Sequence, residues 1–162
     1  MLDAPLPRRR LLPGALYRIG EPGDAPRVAR RLAEMGLLPG SRVWVVRTGL
    51  FGDPVEVAMD GGQSVALRAG EVRALHWEML ALPLVHVRKP GAYRVLRLAG
   101  GSGFRERATR LGLLPGTAIR VESIRPWVVR RAEGGEPVRL GKGEARKLIV
   151  ERVGAAEEGG DA

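Results

Sequence analysis

The sequence predicts a mainly β protein with short helices, built as two tandem small barrels that each carry one accessory helix. Three observations lead there. The pentapeptide Gly36-Leu37-Leu38-Pro39-Gly40 recurs unchanged as Gly112-Leu113-Leu114-Pro115-Gly116, each copy between an Arg-rich helical stretch and an alternating apolar segment. The match extends at the same 76-residue offset, Tyr17-Arg18-Ile19 aligning with Tyr93-Arg94-Val95 and Arg31 with Arg107. Later the offset falls to 72 at Pro54 and Pro126, then settles at 73, where Val65, Leu67 and Glu71 align with Val138, Leu140 and Glu144. A fixed internal period marks a repeated structural unit. Indels confined to turns between matching strands are what a shared fold with variable loops produces.

Within the first copy a strand is expected around Ala15 to Ile19, then a turn from Gly20 to Gly23. Asp24 is expected to cap a helix whose apolar stripe is Val28, Ala29, Leu32, Ala33 and Met35, with Pro26 tolerated in its first turn. Gly36 stops that helix by adopting a left-handed conformation, and Leu37 and Leu38 are expected to pack back on its last turn. Pro39 and Gly40 suit the two central positions of a type II turn. Val43, Val45 and Arg47 then alternate with Arg42, Trp44 and Val46. Pro54 to Met59 alternates as well, Gly61-Gly62 closes a hairpin, Ser64 to Arg68 continues the sheet, Ala69 to Arg73 forms one helical turn, and Leu75 to Met79 ends the unit. Five short strands with a helix after the first can close into a small barrel. The second copy repeats this plan, with Ser102 as expected cap, Phe104, Ala108 and Leu111 on its helix, and Trp127 as a strand residue of the core.

The expected organisation is an N-terminal arm over 1–12, a first barrel over 13–81, a linker over 82–89, a second barrel over 90–153 and a disordered tail over 154–162. Units of roughly 70 residues bury only ~60% of their unfolded surface, so contact between copies or a homodimer is expected. No cysteine is present, which excludes disulfides and thiolate chemistry. The longest apolar run is Met79 to Val85, interrupted by Pro83, far short of the ~20 residues that span a bilayer. No apolar run follows Arg8-Arg9-Arg10 as a secretion signal would require, so a cytoplasmic protein without membrane insertion is expected.

The formal charge is +9, and 24 of the 27 basic residues are Arg. Without the three acidic residues of the tail, Glu157, Glu158 and Asp161, it is 27 against 15, or +12. Such a balance suits phosphate backbones or an anionic membrane surface. It also suits a GC-rich or thermophilic source, since the chain has no Asn and a single Gln, Gln63.

Few residues could carry chemistry. His76 and His86 are the two histidines, too few for a ferrous site, which wants several converging ligands. No Ser/His/Asp arrangement or nucleotide loop is present, because Gly36 and Gly112 end helices rather than begin them, and Gly100-Gly101-Ser102-Gly103 lacks the lysine and spacing of such a loop. Glu71 and Glu144 occupy equivalent positions and can cap the helical turn after the third strand of the barrel's main run or ligate a metal. No catalytic residue, cofactor or metal site is therefore expected. The loop Gly49-Leu50-Phe51-Gly52 sets two large apolar side chains between glycines at a hairpin tip. They either mark a partner surface or fold back over the barrel's end.

The residues that recur also resemble a known family. Leu32-Ala33-Glu34-Met35-Gly36-Leu37-Leu38-Pro39-Gly40, Val45-Val46-Arg47, Gly52-Asp53-Pro54-Val55 and Ala66-Leu67-Arg68 with Glu71 are similar to FeoA, small proteins that accompany the bacterial ferrous-iron transporter FeoB. The second copy matches through Leu111 to Gly116, Val138 to Gly141 and Glu144 to Val150, without the Gly-Asp-Pro-Val loop. The resemblance implies two tandem SH3-like barrels, no catalysis, and a role in ferrous-iron uptake through contact with the cytoplasmic part of the transporter. The same barrel resembles the C-terminal domain of iron-dependent DtxR-type repressors, which implies a metal-responsive regulatory role as an alternative. Its basic charge offers nucleic-acid binding as another.

Overall fold

The structure, a computed structural model, describes residues 10–153. Residues 1–9 of the expected arm and the whole expected tail lie outside them. The chain divides into two compact units, Met1–Met79 and Leu80–Ala162. The described residues form ten antiparallel strands and four short helices.

In the first unit β1 (Leu16–Ile19) leads to α1 (Pro26–Glu34), β2 (Arg42–Thr48), β3 (Val55–Met59), β4 (Ser64–Leu67), α2 (Ala69–Ala74) and the start of β5 (Trp77–Pro83), which runs on past the boundary. Strand pairing runs in the order β4-β3-β2-β1-β5. Alternation decides which side is dry: Val43 and Val45 of β2 and Val55 and Val57 of β3 are buried together with Leu16, Ile19, Leu32 and Leu67. Between Val45 and Arg47 the register of β2 against β3 shifts by one residue. This bulge interrupts the expected alternation, so Val46 and Arg47 both face solvent. Tyr17 packs edge-on to Trp77 at 5.7 Å. Its hydroxyl accepts the Leu12 amide at 2.9 Å, while burial holds its pKa above the ordinary value.

The second unit follows the same plan through β6 (Gly91–Leu98), α3 (Ser102–Arg110), β7 (Ala118–Ile124), β8 (Trp127–Arg131), β9 (Val138–Leu140), α4 (Lys142–Lys147) and β10 (Leu148–Arg152). Its core gathers Val95, Ile119, Val121, Val129, Leu140 and Leu148, with Phe104 and Trp127 packed against it. A register shift between Val121 and Ser123 repeats the bulge of the first unit. Pro54 and Pro126, aligned by the repeat, both follow cis peptide bonds.

The repeated pentapeptide has one geometry in both units. Gly36 and Gly112 take φ of +86° and +74°. The Leu37 amide bonds back to Leu32 O at 2.8 Å and Gly36 N to Ala33 O at 2.9 Å; Leu113 N to Ala108 O at 2.8 Å and Gly112 N to Thr109 O at 3.0 Å repeat the pattern. This pair of bonds is the Schellman helix stop. Ser41 N then bonds to Leu38 O and Thr117 N to Leu114 O, both at 3.0 Å, across turns whose third residues, Gly40 and Gly116, have φ of +90° and +92°. Leu37 and Leu113 are buried, but Leu38 and Leu114 point outward, 56% and 45% exposed. Leu38 therefore does not pack back on the helix: it sits at the first position of the turn, which swings it away.

Other expectations differ from the fold at element ends. The helix after Asp24 is capped by Ala25, and the one after Gly101 begins at Ser102; neither has a side-chain cap. One residue of phase separates a capping hydroxyl or carboxylate from an ordinary first-turn residue. The strand that closes the first unit, β5, runs over Trp77–Pro83 rather than Leu75 to Met79, and from Leu80 on it belongs to the second unit. The stretch 82–89, read from the sequence as a linker, is built into the second unit. Leu82 and Pro83 pair with Val150 and Ile149, a 3-10 turn covers Leu84–His86, and Leu84 and Val87 belong to the buried core. A run of apolar residues around one proline contributes core here because the proline stands at the strand's end.

Candidate functional site

The tip between β2 and β3 is a built loop. Gly49 N bonds to Pro54 O at 2.7 Å, Gly52 N to Gly49 O at 2.9 Å and Asp53 N to Leu50 O at 3.3 Å. The Asp53 carboxylate accepts the Ala69 amide at 3.1 Å, fastening the loop to the start of α2. A 3-10 turn over Leu50–Gly52 results, with Phe51 at φ 59°, ψ 21°. Phe51 is the non-glycine residue of the described chain with positive φ, a conformation that costs an L-residue on the order of 1–2 kcal/mol.

That backbone holds Leu50 and Phe51 85% and 93% exposed. Of the two arrangements open from the sequence, the structure has the outward one. The loop's own hydrogen bonds hold Phe51 in this conformation, and backbone strain of this kind clusters at binding sites. Beside the tip lies a shallow groove lined by Arg47, Gly49 and Pro54 and by Ser64, Val65 and Ala66 of β4. Among the described residues, Leu38, Val46, Leu50, Phe51 and Met79 are the large apolar side chains the first unit exposes, against Leu114 in the second. The second unit's equivalent connection is only Arg125-Pro126 between β7 and β8.

Glu71 and Glu144 are structural ties. Each accepts the backbone amide three residues before it, Arg68 N at 3.1 Å and Gly141 N at 3.2 Å, as a helix-capping carboxylate does. Each also pairs with an arginine of the accessory helix: Arg31 Nε lies 3.3 Å from Glu71 Oε2, and Arg107 Nε lies 2.5 Å from Glu144 Oε2. The pair thus bolts α1 to α2 in one unit and α3 to α4 in the other. Glu71 is buried and Glu144 half-buried, so the first tie is the less screened by solvent.

The histidines stand apart from these groups. His76 precedes β5 and is exposed, its carbonyl accepting Gly20 N at 2.8 Å. His86 ends the 3-10 turn of the second unit, where partial burial, Arg146 and Arg88 hold its pKa below the ordinary value. No cluster of three or more His, Asp or Glu side chains converges among the described residues.

A depressed histidine pKa has a sign. The unfolded chain, titrating near 6.5, binds the proton more readily than the folded one, so this contribution is fully present above about pH 6.5 and declines as pH falls towards the folded pKa. A proton NMR titration should place the His86 midpoint below the ordinary value, and His86→Gln should flatten that part of the stability profile. A midpoint at or above the ordinary value would show that Arg88 and Arg146 do not act on the ring.

The class this geometry defines is a tandem of small SH3-like β units, each with an accessory helix bolted to its barrel and one with an exposed apolar tip. The chain belongs to the FeoA family: the FeoA domain matches residues 9–79 and again 82–152. That membership places it with proteins of ferrous-iron transport. Among solved structures it is similar to iron(II) transport protein A from Clostridium thermocellum, with 30% identity over 94% of this chain and 90% of that one, at a TM-score of 0.44. It is also similar to an iron uptake regulatory protein (FeoA), with 28% identity over 46% of this chain and 99% of that one, at 0.40. For the FeoA protein from Chlorobium tepidum the values are 30% identity, 43% and 66% coverage, and 0.39. No curated protein matches the chain. No helix of the described residues is long and apolar enough to cross a membrane.

Proposed function

We propose that this protein is a non-enzymatic, cytoplasmic accessory of ferrous-iron transport that acts by docking on the cytoplasmic part of a FeoB-type membrane transporter. The observation that carries the reading is the pair Leu50 and Phe51, 85% and 93% exposed on a hydrogen-bonded tip. An apolar pair held rigidly in water loses little conformational freedom on binding, which favours a protein pocket as its destination. Tandem FeoA domains supply the rest of the argument, since they account for nearly the whole described chain.

The test separates binding from folding. Leu50→Ser and Phe51→Asn remove the apolar tip, and asparagine tolerates the left-handed conformation that Phe51 occupies. Both variants should melt no lower than the parent. Their affinity for the isolated cytoplasmic part of the transporter should fall by about 30-fold or more, as expected for a hot-spot side chain worth ~2 kcal/mol. Full affinity in the double variant would rule out the tip as the contact. Absence of any binding by the parent would remove the transporter reading itself.

A further inference from the structure

The two units differ in charge far more than in fold. Residues 80–153 carry sixteen Lys and Arg against six Glu, a net +10, whereas residues 10–79 carry nine Arg against eight Asp and Glu, a net +1. Part of the excess is written into the sheet. Arg120 of β7 stands directly opposite Arg130 of β8, and Arg139 of β9 opposite Val128. Alternation puts all three arginines on the outward face, because Val121, Val129 and Leu140 beside them are buried. At the equivalent positions the first unit has Trp44, Ala58 and Ala66, with Trp44 and Ala58 in the same register.

Facing arginines are unfavourable within a sheet. One carboxylate, Glu122, pairs with Arg130, and among the described residues neither Arg120 nor Arg139 has an ion-pair partner. Arg130 is satisfied within the unit, by Glu122 and by the Gly135 carbonyl at 2.8 Å, whereas Arg120 and Arg139 stay exposed, so their use lies outside the unit. We infer that the second unit's basic surface docks on a bilayer containing anionic phospholipid.

Three observations favour a bilayer. The aromatic side chains of this unit, Tyr93, Phe104 and Trp127, pack into or against the core, leaving no platform on which unpaired bases stack. The cations are carried by three separate elements, α3, the β7–β9 face and α4. Mobile headgroups gather under such a spread, whereas the phosphates of a nucleic acid keep fixed spacing. Finally, exposed Leu114 sits in the turn after the basic helix α3, and a shallow apolar contact beside a polybasic patch is the pairing that holds peripheral proteins on membranes.

The inference does not rest on the transporter reading, because its test contains no transporter. The full chain is sedimented with vesicles of phosphatidylcholine alone and of phosphatidylcholine mixed with phosphatidylglycerol. Binding is expected only to the mixed vesicles and should weaken with added salt. Arg120→Gln with Arg139→Gln should weaken it about 25-fold, at about fivefold per cation near the surface. Arg30→Gln with Arg42→Gln, the same change of net charge placed in the first unit, should leave it nearly unaltered. Equal losses in the two pairs, or equal binding to both kinds of vesicle, would overturn the inference. Duplex DNA of random sequence that strips the chain from mixed vesicles at equal phosphate concentration would overturn it in favour of a nucleic-acid surface.

Discussion

Replacing Gly36 with valine is expected to destabilise the first unit by roughly 1–3 kcal/mol, and the same change at Gly112 to do so in the second. At Gly36 the cost is conformational. A Cβ there would meet nothing closer than Met59 Sδ at 3.8 Å, but φ is +86°, where a β-branched residue is a true outlier. At Gly112 the Cβ would also come 3.0 Å from Arg131 Cδ and Nη1, and that flexible side chain must move. Gly112→Val should therefore cost at least as much as Gly36→Val. A domain of this size has only about 0.05–0.15 kcal/mol of stability per residue, and each kcal/mol shifts its melting by about 4–8 °C. Thermal denaturation followed by circular dichroism reads this directly. Asparagine at either glycine should recover much of the loss, because it tolerates positive φ. A valine variant that melts like the parent would mean that the left-handed residue is not what stops the helix.

Gly49→Ala is expected to be about as costly, near 3 kcal/mol, for a different reason. Gly49 has an ordinary φ of −71°, so an alanine fits its backbone conformation. Its Cβ, however, would land inside contact distance of the Asp53 carbonyl oxygen and 2.8 Å from Pro54 Cδ. Those atoms belong to the backbone and ring that close the loop and cannot rotate away. The Gly49 to Pro54 hydrogen bond should open and the Asp53 tie to Ala69 with it. Faster amide exchange at Gly49 and Ala69, together with a lower melting temperature, would register both. Gly23→Ala, which meets nothing within 4 Å, serves as the neutral control. Unchanged exchange in Gly49→Ala would show that the loop has room that the close approach denies it.

What the sequence made legible follows from local physics. The positive φ at Gly36 and Gly112 and the turns at Gly40 and Gly116 were readable because Gly and Pro restrict φ wherever they stand. The repeat made every such reading twice, so an indel could be assigned to the loop that lost it. Caps were less legible: Asp24 and Ser102 are good capping residues, yet each stands one place from the position that caps. The Arg31–Glu71 and Arg107–Glu144 ties were hidden, because 40 and 37 residues of chain separate the partners; the signal that both members recur in register was present and its pairing was not. The orientation of Leu50 and Phe51 was undecidable from composition, since it depends on the amides of Gly49, Gly52 and Asp53 and on the positive φ of Phe51. The charge difference between units needed only a boundary, and the boundary lies at Met79 and Leu80.

The six-residue connection after β2 and the two-residue connection after β7 give the chain an odd valence. A duplicated fold would ordinarily offer a partner two equivalent footholds and the avidity that comes with them. Here the Arg–Glu bolt and the helix stop are kept in both copies, while the apolar tip is present in one. A partner recognised through that tip meets each chain once, so titration should saturate at one partner per chain. Moving residues 49–54 into the β7–β8 connection would convert the same scaffold from a monovalent ligand into a bivalent one.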